Sequence, residues 1–204
     1  MTKRRSYSPV KRQQTTNEGR ERILAAAEAL LEDAEGEGFS IDAVARRAGV
    51  ARMTVYNQFA SKAGLLEALF DAMALRGALG QMADVFKEAD PVVALDQYVA
   101  LFGRFWTGNR GVHRGLRAAA LHDVELASAM ASRNERRRRG VAELARRLRE
   151  RYRPAVMPEE VERVMFVLLS FETFDTLAGE SRTPMDVVPV VQQLARVILG
   201  ISAT

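Results

Sequence analysis

The chain has 204 residues, of which 48% are apolar and 27% charged, enough apolar material for one large or two modest soluble domains. It has no cysteine and two histidines, which excludes disulfides, thiolate chemistry and cysteine-held metals, and His113 and His122 lack the i, i+4 spacing of a helical metal motif. No metal and no cofactor are expected. A net charge of +4 and a pI near 9.7 hint at a polyanionic partner.

Charge is segmental. Residues 1 to 22 hold seven Lys/Arg against two Glu, residues 133 to 153 hold ten Arg against three Glu, and residues 154 to 204 hold three Arg against seven acids, so the segments need separate explanations. No apolar run approaches the roughly 18 residues of a membrane span, and "VMFVLLSF" at 164 to 171 is far too short. The basic N-terminus is followed by no apolar stretch of signal type. A cytoplasmic protein with no membrane partner is the expectation.

In chain order, residues 1 to 17 are polar, basic and aperiodic, and read as a flexible arm. From Glu18 a helical stripe runs through Ile23, Ala26, Ala27, Leu30, Leu31 and Ala34. Ser40 caps a short second helix with Ile41, Val44, Ala45 and Ala48 inward, and Gly49 supplies its left-handed stop. A third helix reaches about Phe59. Ser61 caps a fourth, with Leu65, Leu66, Leu69, Phe70 and Met73 inward, running to about Glu88 despite Gly77 and Gly80. Asp90-Pro91 starts a fifth, ending near Gly108. A sixth covers about 110 to 121. A seventh, capped by Asp123, extends to about Tyr152 on a stripe of Ala127, Ala131, Asn134, Arg138, Val141, Ala145, Leu148 and Tyr152. Helices eight (about 158 to 178) and nine (about 186 to 199) follow. The fold class is all-α with about nine helices.

Two short helices joined at Gly49 make a helix-turn-helix candidate. Residues 51 to 58 then form a recognition helix offering Arg52, Met53, Thr54, Tyr56, Asn57 and Gln58 to a major groove. Arg and Asn suit base edges, while Thr54 and Tyr56 suit phosphates. Ser61-Lys62 at a helix start suits a phosphate. The competing reading is a polar helical hairpin facing water.

The stretch "ERILAAAEALLEDAEGEGFSIDAVARRAGVARMTVYNQFASKAGLLEAL" resembles the N-terminal domain of the TetR family of bacterial transcription regulators. The resemblance carries "VARRAGVA", "TVYNQFASK" and the following Leu pair, and it covers about residues 20 to 70. It implies phosphate contacts by Ser40 and Lys62, a backbone contact by Tyr56, base or backbone contacts by Arg52, Thr54 and Asn57, and a core role for Phe59. Two departures stand out. Ala51 leaves the recognition helix without a side-chain cap, and Met53 is large where small residues are common. The basic arm either tracks DNA or is a solubilising tail.

The family layout implies an arm at 1–17, a DNA-binding domain at 18–66 and an effector and dimerisation domain at 67–204. It implies a homodimer through the last two helices, a palindromic double-stranded operator and a small-molecule effector. Candidate pocket residues are Phe102, Phe105, Trp106, Met130, Phe166, Phe171, Glu172 and Asp175, with a plain aromatic core as the alternative. Glu172 and Asp175 would meet a cationic ligand or pair with arginines across the dimer, whereas Arg117, His113 and His122 would receive an anion. Arg136, Arg137 and Arg139 lie off the seventh stripe and read as a solvated face. A ligand-responsive repressor is the expected function, with a regulator that binds DNA without an effector as the alternative. No nucleophile, carboxylate pair or metal set points to an enzyme.

Overall fold

The computed structural model describes residues 9–33, 38–152 and 157–201, with side chains from residue 17 onward except at 158 and 159. Eleven α-helices and two 3₁₀ turns make up the described residues, with no strand among them. In order, the helices are α1 (Pro9–Glu32), α2 (Ile41–Ala48), α3 (Arg52–Phe59), α4 (Lys62–Arg76), α5 (Met82–Lys87), α6 (Pro91–Gly108), α7 (Arg110–Ala120), α8 (Val124–Arg151), α9 (Pro158–Leu168), α10 (Phe171–Ala178) and α11 (Val188–Ile198).

The all-α class stands, but the expected nine helices become eleven because two long ones are broken. The fourth stops at Arg76. Gly77 packs so closely on Phe105 that a Cβ there would lie 2.4 Å from the ring, and Ala78 turns left-handed at φ 61°. The eighth breaks at Leu169. Ser170 takes an extended backbone and its hydroxyl caps α10 at the Thr173 amide. The indole N–H of Trp106 donates to the Leu169 carbonyl at 3.4 Å, which helps satisfy the break.

The arm is also revised. α1 begins at Pro9, well before Glu18; Pro suits a first helical turn, and the Lys, Arg and Gln that follow are good helix formers. Residues 1 to 8 of the expected arm lie outside the described residues, as does Ala34 of the first stripe.

Two apolar cores divide within α4. Ile23, Ala27, Leu30, Val44, Val55, Phe59 and Leu65 form the small one, while Leu66, Leu69, Phe70 and Met73 join the large one built on α6 and α8. One helix therefore fastens the first three helices to the rest. α7 adds a second fastening. Gly115 sits so close to α1 that a Cβ would lie 1.6 Å from the Leu31 carbonyl oxygen, so only glycine permits this approach.

Along α8 the inward face differs from the expected stripe. Leu126, Arg137, Val141, Leu144, Ala145 and Leu148 are buried, with Met130 and Arg133 part-buried, whereas Ala127, Ala131 and Asn134 are exposed. The row of larger apolar residues, Leu126 and Met130, wins over the alanines one position later because it removes more apolar surface from water. That phase turns Arg137 inward, correcting its assignment to a solvated face. Arg138 is part-exposed, its guanidinium 4.1 Å from the Phe166 ring centroid.

Candidate nucleic-acid interface and interior cavity

Local signals set the geometry around α3. The Ser40 hydroxyl accepts from the Ala43 amide at 3.1 Å and caps α2. Gly49 holds φ 66° and ψ 36°, its amide donating to carbonyls of the last turn, a left-handed end that glycine reaches without a Cβ penalty. Ala51 starts α3 with no side-chain cap. Val55 and Phe59 anchor α3 inward, and the Arg20 guanidinium lies 4.4 Å above the Phe59 ring.

The opposite face of α3 is open. Arg52, Met53 and Asn57 are exposed, Met53 at 66%, while Thr54, Tyr56 and Gln58 are half-buried. Arg52 donates to Asp42 of α2 at 3.0 Å and to the Tyr56 hydroxyl at 3.2 Å. This pair orients the guanidinium and ring together at the surface, an arrangement suited to a phosphate or a base edge.

Lys62 is placed differently from the expected free phosphate clamp. It begins α4, just after Ser61 caps that helix at the Gly64 amide, but its ammonium is bonded to Asp123 and lies 3.7 Å from Glu125. Its side chain is only 19% exposed. Asp123 in turn caps α8, accepting from the Glu125 and Leu126 amides at 3.1 and 3.2 Å. These hydrogen bonds and the Lys62 charge outweigh burial and hold the Asp123 carboxyl below its ordinary range. Lys62 thus ties the helix-turn-helix to the start of α8.

Between α4, α6, α7, α8 and α10 lies a cavity of about 420 Å³, within the range of small-molecule sites. Of the residues proposed from sequence, Phe102, Phe105, Trp106, Met130, Phe171 and Glu172 stand in its wall. Phe166 and Asp175 do not. The Phe166 ring instead covers the guanidinium of Arg137, 3.8 Å from its centroid. Asp175 accepts from Arg110 at 2.6 Å and from Arg114 at 3.0 and 2.9 Å within the same chain, so it already has cations of its own. Glu172 is paired with Arg117.

Tyr98, which belongs to the same aromatic bunch on α6, also stands in that wall; sequence reasoning missed Arg133, Arg137 and Gly140 there, and named His113 and Arg117 only as candidate anion receivers. The Leu126, Met130, Arg133, Arg137 spacing was the available signal. The His113 ring stacks on Phe171 at 5.2 Å and meets Trp106 edge-on at 4.7 Å. Burial, then the charges of Arg117 and Arg137, push its pKa down to about 3, so it is neutral. Burial also lowers Arg137 to about 10, and it stays charged near neutral pH. The Tyr98 hydroxyl is pushed up by burial. Among the described residues no His, Asp and Glu side chains cluster to hold a metal ion, and no described helix is long and apolar enough to cross a membrane.

Residues 23–69 match the family model described as bacterial regulatory proteins, tetR family. The N-terminal domain belongs to the tetR family. The remainder carries the fold of its regulators. Over 91% of this chain and 98% of the other, it superposes with a TM-score of 0.68 and 21% identity on NalD, the secondary repressor of the MexAB-OprM multidrug efflux pump in Pseudomonas aeruginosa. FadR, a transcriptional regulator from Bacillus subtilis solved in complex with stearoyl-CoA, superposes at 0.64 with 18% identity over 89% and 99% of the two chains. A TetR transcription regulator from Haloarcula marismortui superposes at 0.64 with 16% identity over 90% and 97%. No curated protein sequence matches the chain. Such identities establish the tetR-type regulator fold and not the ligand.

Proposed function

We propose that this protein is a dimeric transcriptional repressor that binds a palindromic operator and is released by a small molecule held in the cavity. The observation that carries this reading is the double use of α7 and α8. His113 of α7 and Met130 and Arg137 of α8 stand in the cavity wall, and the same two helices hold the DNA-binding domain. α7 does so through the Gly115 approach to Leu31, and α8 through Asp123 on Lys62. A ligand that moves either helix changes the position of α1 or α4, and it needs only a differential affinity of a few kcal/mol between the two arrangements.

Arg52, Met53, Thr54, Tyr56 and Asn57 form the proposed groove-facing set. Ser40 and Lys62 are the proposed phosphate contacts at the two helix starts. Lys62 reaches a phosphate when it leaves Asp123, so the ion pair and the DNA compete for one ammonium. The open cavity favours an effector-responsive regulator over one that binds DNA without a ligand.

Dimerisation is proposed through α9 to α11, where Val167, Val190, Leu194 and Val197 are exposed. On α11 the last three are spaced four and three apart and share one face. A two-fold pair places two recognition helices about one DNA turn apart.

Selection of bound sequences from a random DNA pool tests the reading. The expected winners carry two half-sites related by a dyad and spaced by about one helical turn. Winners without symmetry, or no enrichment, count against it. In the same assay Asn57→Ala is expected to relax base preference. Lys62→Ala is expected to weaken all sequences alike and to reduce the salt slope by about one.

A further inference from the structure

Arg137 is a charge in an unusual place. It is only 9% exposed and stands in the cavity wall. Its Nη1 donates to the Phe166 carbonyl at 2.7 Å and its Nη2 to Asn134 Oδ1 at 3.4 Å. These partners and the Phe166 ring are neutral. Among the described residues no carboxylate is within ion-pair distance of it, and besides burial the groups that shift it are the Tyr98 phenol, neutral near neutral pH, and the like-charged Arg138. Its Nε has no acceptor.

Two more cavity-wall residues repeat the pattern. Arg133 Nε and His113 Nε2 are buried without a hydrogen-bond partner. The Arg133 charge is already answered at Nη2 by Glu67 and Asp71. The acid in the wall, Glu172, is held by Arg117. A cationic ligand would therefore meet an excess of its own sign. An interior cation without a counter-ion is costly to keep, and buried donors are ordinarily satisfied. An acceptor-rich anion entering the cavity would answer both costs together.

We infer that the cavity takes an amphipathic monoanion, its carboxylate or equivalent acid group held by Arg137 and His113 and its apolar body lying on Phe102, Phe105 and Trp106. The assignment rests on reading the cavity as the effector site, and it specifies the chemical class of that effector. Arg137 supplies the charge, and neutral His113 supplies an N–H donor when its proton is on Nε2. The acid group alone gives the ligand its orientation, because the rest of the wall is mainly aromatic and aliphatic.

Trp106 is the only tryptophan in the chain and stands in the wall, so its emission reads occupancy. The full-length protein is titrated near neutral pH with two matched pairs, dodecanoate against dodecanamide and naphthoate against naphthamide. At least one acid is expected to bind about 10- to 100-fold tighter than its amide, the range of a hydrogen bond to a charged partner. Arg137→Met is expected to erase that preference while keeping the affinity for the amide, and Arg137→Lys to restore part of it. Because the wild-type comparison needs no variant to fold, it can overturn the inference by itself. Equal binding of each acid and its amide, tighter binding of the amides, or a preference that survives in Arg137→Met overturns the inference. An amide that binds and releases the operator leaves the effector reading standing without the anion. Silence from all four compounds also overturns the inference, and a broad panel of either charge that never alters operator affinity brings down the effector reading itself.

Discussion

The two ends of this molecule treat positive charge in opposite ways. On α3, Arg52 is exposed and shares its hydrogens between Asp42 and Tyr56, while at the start of α4 Lys62 is held by Asp123. Both cations have carboxylate partners, exposed Asp42 for Arg52 and part-buried Asp123 for Lys62, and in the proposed function each leaves its partner for DNA. In the cavity, Arg137 is enclosed among aromatics and among the described residues has no carboxylate within ion-pair distance, and the neighbouring imidazole of His113 is kept neutral. The contrast teaches where each charge is useful. A paired surface cation costs little and remains available to a polyanion, whereas an unpaired interior cation persists at a cost that a bound anion would offset.

That contrast can be broken, and the largest expected effect is at Arg137. Arg137→Met replaces an uncompensated buried charge by an apolar side chain, so the empty protein is expected to gain roughly 1–4 kcal/mol, read by denaturant unfolding. A loss of stability would mean that the Phe166 carbonyl and ring already satisfy the guanidinium.

The next effect is a pH dependence at His113. The unfolded chain takes up the imidazole proton near pH 6.5, but the folded protein does so only near the depressed value of about 3. Protonation between these limits favours unfolding, so the wild type loses stability as pH falls through this window. His113→Phe removes the term. Its stability relative to wild type is expected to rise on acidification by up to about 1.4 kcal/mol per pH unit, measured by urea unfolding over a pH series. Parallel curves would show that the ring titrates normally.

Smaller effects belong to the DNA-facing end. Asp123→Asn keeps an acceptor to cap α8 but removes the charge that holds Lys62. The variant is expected to bind DNA about two- to fivefold tighter, the worth of a modest ion pair, by fluorescence anisotropy at fixed salt. Unchanged affinity would separate Lys62 from the phosphates. Smallest in stability is Arg52→Ala, whose melting temperature is expected to match wild type while its DNA affinity falls. A lowered melting temperature would make Arg52 a structural residue.

The helix-turn-helix was readable because its signals are local. Ser40, Gly49 and Ser61 each act within four residues of their own position, and caps and left-handed turns are set by side-chain chemistry and sterics that a short sequence window contains. The aromatic cluster of Phe102, Phe105 and Trp106 was readable in the same way, from helical spacing, which left plain core and cavity wall both open. The helix breaks were not. Gly77 meets Phe105 and the Leu169 carbonyl meets Trp106, contacts from a different segment that a short window does not contain.

What the sequence alone determined is therefore the all-helical class, the helix-turn-helix with its polar face, and the aromatic cluster on α6. Only the tertiary structure decided which face of α8 turns inward, that Lys62 is tied to Asp123 across 61 residues, and that Arg137 rather than Asp175 or Phe166 borders the cavity. The reason is the arginine-rich repeat in α8. Its three- and four-residue spacings support two neighbouring stripes, and packing against α4, α6 and α9 selects one of them by the apolar surface it removes from water.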